Sequence, residues 1–169
     1  PEGFMYHLVR RFKLPRYLAS TSTNGLSNQY RYFCVGSEGY RDFFTRKGVK
    51  QEKLIVTGIP NYDNCAAYLD NDFPLRDYVL VATSDARETY KFDNRKKFLR
   101  RVVEIAAGRP IIFKLHPNEK FERAIREIHE IVGEVPIYTD GNTDHMIANC
   151  EALICQYSTV VYTGIALNK

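Results

Sequence analysis

No run in the 169-residue sequence reaches the roughly 18–20 apolar residues that cross a bilayer, which leaves no candidate membrane-spanning helix. The first residues also lack the apolar core of a signal peptide. The four cysteines, Cys34, Cys65, Cys150 and Cys155, form no C-x-x-C pair and no zinc-ligand spacing, so no metal site is expected. Each stands beside aliphatic or aromatic residues and reads as a buried, reduced thiol of a cytosolic protein. There is no G-x-x-x-x-G-K-[ST] loop and no G-x-G-x-x-G turn, which argues against an ATP-type P-loop and an NAD-type fingerprint. Internal repeats and low-complexity tracts are absent. So is a long basic tail, and a net charge of +4 is too mild to suggest nucleic acid as a partner. The chain begins at Pro1 without a methionine and stops at Lys169 in mid-pattern, as a piece of a longer protein would.

What is present is a soluble composition, 44% hydrophobic and 26% charged, of a size for one ordinary domain or one domain with part of another. The densest basic patch, NRKKFLRR at 94–101, carries aliphatic residues at helical spacing. It reads as a solvated helix face, with contact to an anionic partner or peripheral contact with a membrane surface as the alternative.

From residue 78 the pattern alternates. YVLVAT (78–83), PIIFKL (110–115), VPIYT (135–139) and ALICQ (152–156) are apolar runs of strand length. Between and after them, residues 95–107, 119–132, 143–150 and 159–167 carry helical periodicity. Gly108 is placed to stop the first of these helices, and a Thr or Asn to cap the third. Strands apolar throughout and alternating with helices predict an α/β, Rossmann-like parallel sheet with helices on both faces. The first part is less regular. Residues 31–37 read as a strand running into a Ser-capped helix stopped by Gly48, and 53–58 as a further strand. The expected division is therefore 1–58 as the end of an N-terminal α/β domain, 59–77 as linker, and 78–169 as a C-terminally truncated nucleotide-binding domain.

In such a sheet, ligands bind beyond the carboxyl ends of the strands. Three polar clusters fall there: TSDARETY (83–90), HPNE (116–119) and YST (157–159). Their chemistry suits a diphosphate. Ser158 or Thr159 opens a helix whose first N–H groups are unpaired, Arg87 offers a two-pronged donor, and His116 can donate one hydrogen bond. The bland alternatives are that Ser158 and Thr159 are mere caps, His116 a satisfied loop histidine and Arg87 a surface ion pair. His7 lies in the irregular part, His129 on the polar side of a helix, and His145 near the cleft edge.

Taken in order, SEGYRDFFTRKGVKQEKLIVTGIPNYD (37–63), YVLVATSDARETY (78–90), KLHPNE (114–119) and CQYSTVVYTGIALNK (155–169) resemble the second half of GT-B-type enzymes. The similar families are UDP-N-acetylglucosamine 2-epimerases and capsule or polysaccharide glycosyltransferases. The resemblance implies a nucleotide-sugar transferase, with this chain mainly the donor-binding half and a UDP-linked sugar as substrate rather than cofactor. It implies a glycan or lipid-linked acceptor, and a cytoplasmic location that extends to the inner face of the membrane. Its phosphate-binding set would be Ser84, Arg87, His116, Asn118, Tyr157, Ser158 and Thr159, with Arg87 and His116 the catalytic candidates. The chain departs from the pattern twice. The loop after the first strand of the domain, DARETY, has no histidine where the epimerases carry one. Thr163 stands where such families place a ribose-binding Glu, which leaves Glu88, Glu119 and Thr163 as ribose candidates. Open alternatives are an epimerase, transfer of a polyol phosphate from a CDP-linked donor, and a non-catalytic module of polysaccharide export.

Overall fold

The computed structural model describes residues 4–15, 18 and 30–169; positions 1–3, 16–17 and 19–29 of the expected tail domain lie outside the described residues. The chain divides into two units, residues 1–60 and 61–169.

In the first unit, helix α1 (Phe4–Phe12) precedes strand β1 (Phe33–Val35), helix α2 (Glu38–Arg46) and strand β2 (Leu54–Val56), with β1 and β2 paired in parallel. The Ser37 hydroxyl accepts from Tyr40 N–H at 3.3 Å, the expected cap, and Gly48 takes a left-handed φ of 94° where the helix stops. Val35 is buried and Phe33 packs its ring edge-on against Phe44 of α2, so the middle residue of β1 faces the other way. Cys34 is therefore exposed, not buried as its neighbours suggested.

The second unit is built on β3 (Val79–Ala82), β4 (Ile111–Lys114), β5 (Ile137–Tyr138) and β6 (Ala152–Cys155), all parallel in the order β5-β4-β3-β6. Helices α3 (Arg95–Ala106) and α4 (Phe121–Ile131) join the first three, and α5 (Thr143–Asn149) carries the chain back across β3 to β6 and the final helix α6 (Val160–Ala166). The core splits by strand alternation. Val81, Phe113 and Leu115 pack with Leu99, Val102, Ala124 and Ile128 under α3 and α4. Leu80 and Ile112 pack with Met146, Ile147 and Cys150 under α5, with Val160 and Leu167 against them. Both faces are covered, which is why β3 reads as one unbroken apolar run. This is an α/β, Rossmann-like sheet. It reverses direction between β3 and β6, and such a reversal opens a crevice at the strand ends.

Helix α3 ends one residue earlier than expected, at Ala106, with Ala107 itself left-handed at φ 49° and Gly108 following at 83°. The stretch read as linker is folded onto this unit: Asn71 and Asn149 exchange side-chain hydrogen bonds of 3.1 and 2.9 Å, and Phe73 packs edge-on against Tyr138.

Burial raises the Cys150 thiol from 9.0 to about 11. A raised value keeps the thiol neutral in the folded state. Its contribution is whole below pH 9 and is lost as the pH rises through about 11. Between pH 8 and pH 11 wild type is expected to lose about 2 kcal/mol relative to Cys150→Ala. Parallel denaturation curves of the two proteins at pH 8 and pH 11 check this.

Candidate functional site

The carboxyl ends of β3, β4 and β6 border a cleft of about 220 Å³, lined by Thr83, Lys114, His116, Pro117, Thr143, Ser158 and Thr159 with neighbouring apolar residues. It brings His116 together with Ser158 and Thr159, which lie more than forty residues further along the chain.

A tight turn sets His116. Glu119 N–H donates to His116 O at 3.0 Å, closing the turn around Pro117. The His116 N–H is shared between Thr83 Oγ1 and Glu119 Oε2, both at 3.2 Å. Asn118 N–H donates to His116 Nδ1 at 3.2 Å. An Nδ1 that accepts makes the neutral ring an Nε2–H donor. One ring nitrogen of His116 is thus engaged within its own loop, and Nε2 makes no hydrogen bond among the described residues.

Glu119 is not at the surface. Its side chain is fully buried, accepts from Arg95 at 2.6 Å and from the Thr83 hydroxyl, and braces the histidine turn from behind. It is a structural carboxylate, not one presented to a ribose. Arg95 belongs to the NRKKFLRR patch that read as solvated, yet it is 4% exposed and also pairs with Asp93 at 3.2 Å.

Arg87 resolves to the ion-pair alternative. Two of its nitrogens meet the two Glu127 oxygens of α4 at 2.8 Å each, and that pairing is the main reason its guanidinium is held above its ordinary value. The fork is spent, and Arg87 is not among the cleft-lining residues. Glu88 pairs with Arg123 and accepts from Lys120 N–H, again away from the lining. Ser84 is buried at 3% exposure and outside the cleft, its carbonyl accepting from Arg95. Asn118 is exposed and donates to Asp85 at 3.2 Å.

The cation that does line the cleft is Lys114, which the sequence pattern passed over as one residue of the strand 110–115. It is 8% exposed, and Nζ donates to the carbonyls of Leu115 and Thr139 at 3.1 Å each. One ammonium hydrogen remains. Desolvation lowers its pKa, partly opposed by Asp140. A lysine ending an otherwise apolar strand was the available signal.

At the third strand end Tyr157 is exposed and holds a left-handed φ of 50°, a strain of about 1 kcal/mol immediately before Ser158. The Ser158 hydroxyl accepts from Val160 N–H at 3.4 Å; Thr159, at the helix start, makes no side-chain cap. A neighbouring pocket of about 200 Å³ shares Thr159 and Val160 with the cleft and adds Asn61, Tyr62, Tyr68, Asp144 and Thr163. Thr163 is buried and donates to Asp144 Oδ1 at 3.0 Å, orienting a carboxylate the sequence had not singled out. Asp144 is fixed from its other side by the Asn142 cap, which accepts from its N–H at 2.9 Å. His145 lines a separate pocket with Phe73, Tyr138 and Asp140, and His129 lies 3.8 Å from Glu134.

No protein-family model matches the chain, and no curated protein matches it in sequence. Among solved structures, that of the wall teichoic acid polymerase TagF is similar, with a TM-score of 0.50, 16% identity and 92% of this chain covered. The chain spans 41% of that protein. At this identity the likeness is one of fold.

Proposed function

We propose that this chain is the donor-binding half of a GT-B-type transferase, holding a nucleotide diphosphate-linked donor whose diphosphate sits in the His116 cleft. The observation that carries this is the convergence of an Nε2–H imidazole, a buried lysine and two hydroxyls at the switch point of a doubly wound sheet. At about 220 Å³ the cleft is smaller than the roughly 300–1,000 Å³ of a whole-ligand site, and suits the phosphates alone. The adjoining pocket, with Tyr62, Tyr68 and Asp144, would take the nucleoside. Asp144, oriented by Thr163, supplies the carboxylate that position 163 itself lacks.

In the transfer an acceptor hydroxyl attacks the anomeric carbon and the carbon–oxygen bond to the diphosphate breaks. Negative charge grows on the departing diphosphate. Lys114 and His116 lie where they stabilise it, and fixed donors of this kind contribute more to the transition state than to the ground state. The general base lies outside this chain in this account.

The fold likeness to a wall teichoic acid polymerase favours one second reading, transfer of a polyol phosphate from a CDP-linked donor. There the hydroxyl attacks the donor's distal phosphorus and CMP leaves, with the same cleft stabilising the transferred phosphate.

Calorimetric titration with UDP, CDP and CMP separates these. Micromolar binding is expected for one base, and His116→Ala is expected to weaken it by at least about 1 kcal/mol, the worth of one hydrogen bond. Preference for UDP supports sugar transfer, and preference for cytidine nucleotides supports polyol phosphate transfer. Binding by the variant equal to wild type would remove His116 from the site. Absence of binding by a folded, longer chain would favour a non-catalytic module.

A further inference from the structure

We propose that the loop bearing Tyr90 and Phe92, together with the cationic side of α3, is a docking surface for an anionic lipid bilayer. This does not depend on the proposed function. Tyr90 is 98% exposed and Phe92 84%, the two highest values for large hydrophobic residues among the described residues. Single exposed apolar side chains are ordinary, but two rings on the same loop with one residue between them make a patch.

The loop is held in this form. Thr89 N–H donates to Asp85 O at 2.9 Å, Lys91 N–H to Ala86 O at 2.7 Å, and Tyr90 takes a left-handed φ of 57°. Just beyond the rings, the buried Asp93 carboxylate is pinned by Arg95. A backbone fixed at both ends keeps the rings outside instead of letting them fold back onto the core.

Three unpaired cations accompany them in the sequence. Lys91 lies between the rings, and Lys97 and Arg100 follow on the exposed side of α3, with no ion pair for any of the three among the described residues. Three nearby carboxylates are ion-paired, Glu88 by Arg123, Asp93 by Arg95 and Glu104 by Arg101, while Asp85 at the start of the loop accepts from the Asn118 amide at 3.2 Å. Aromatic rings that enter the headgroup boundary, ringed by unneutralised cations, match an anionic membrane surface. A second copy fits poorly. A two-fold contact would set these cations against themselves.

The test is sedimentation with vesicles of phosphatidylcholine alone and of phosphatidylcholine with phosphatidylglycerol. Wild type is expected to partition onto the anionic vesicles only, and less as salt rises. Tyr90→Asn with Phe92→Ser, where Asn tolerates the positive φ, is expected to lower partitioning at least about tenfold. Replacing Lys91, Lys97 and Arg100 by Gln should lower it roughly hundredfold at low salt, about fivefold for each cation. Each of these side chains faces solvent, so unchanged circular dichroism is expected. The proposal is overturned if wild type stays in the supernatant, if it binds neutral vesicles equally, or if the aromatic variant partitions like wild type. A dimer seen by sedimentation velocity that the aromatic variant dissolves would assign the patch to self-association and overturn it too.

Discussion

Glu119→Ala is expected to destabilise the protein by about 3–5 kcal/mol, the cost of leaving one member of a buried ion pair uncompensated. The carboxylate is fully buried and meets Arg95, itself 4% exposed, at 2.6 Å. Its second oxygen takes hydrogen bonds from the Thr83 hydroxyl and from His116 N–H. Alanine removes the shared acceptor of all three donors, and only weaker partners remain to them. Asp93 remains for Arg95 at 3.2 Å but leaves the His116 turn without its brace. Glu119→Gln keeps the shape and one acceptor, so it should lose less and give a variant folded enough to titrate. In that variant nucleotide affinity should also drop, because the imidazole is no longer fixed toward the cleft. A denaturant midpoint for Glu119→Ala within about 1 kcal/mol of wild type would show that this network carries little.

The second large effect is on binding. Lys114→Met should weaken nucleotide affinity by roughly tenfold to a hundredfold, as expected for losing a charge-assisted hydrogen bond. Stability should not follow affinity down. A buried ammonium is costly, and desolvation is the main reason its pKa is lowered from 10.5. The folded state therefore gives up this proton at a lower pH than the unfolded state. Stability from this group rises as the pH climbs from the lowered value toward 10.5, and Lys114→Met should lack that rise. Arg87→Gln is the matching control. With its fork spent on Glu127, its loss should leave affinity near wild type. If Arg87→Gln weakens binding as much as Lys114→Met, the cleft assignment fails.

The elements and the sheet type were legible because they follow from local pattern. Four apolar strand runs alternating with amphipathic helices admit little other than a parallel sheet buried on both faces. The edge of that sheet was legible too, since every strand of a parallel sheet ends on the same side. His116, Ser158 and Thr159 could be placed on one edge from sequence alone, and all three line the cleft.

Which polar side chain faces the cleft and which supports it was decided by packing. Arg87 and Lys114 are both cations near strand ends. One meets Glu127 on α4, forty residues on, and the other is closed in by the carbonyls of Leu115 and Thr139. Glu119 stands in a motif that looks exposed, but α3 delivers Arg95 to it. Asp144 gains its orientation from Thr163, on a helix after the next strand. The sequence by itself determined the strands, the helices and the edge where chemistry would gather, because periodicity and chain direction are local properties. Only the tertiary structure decided the pairing of charges, because a buried charge is tolerated only where another element brings its counterpart within hydrogen-bond reach.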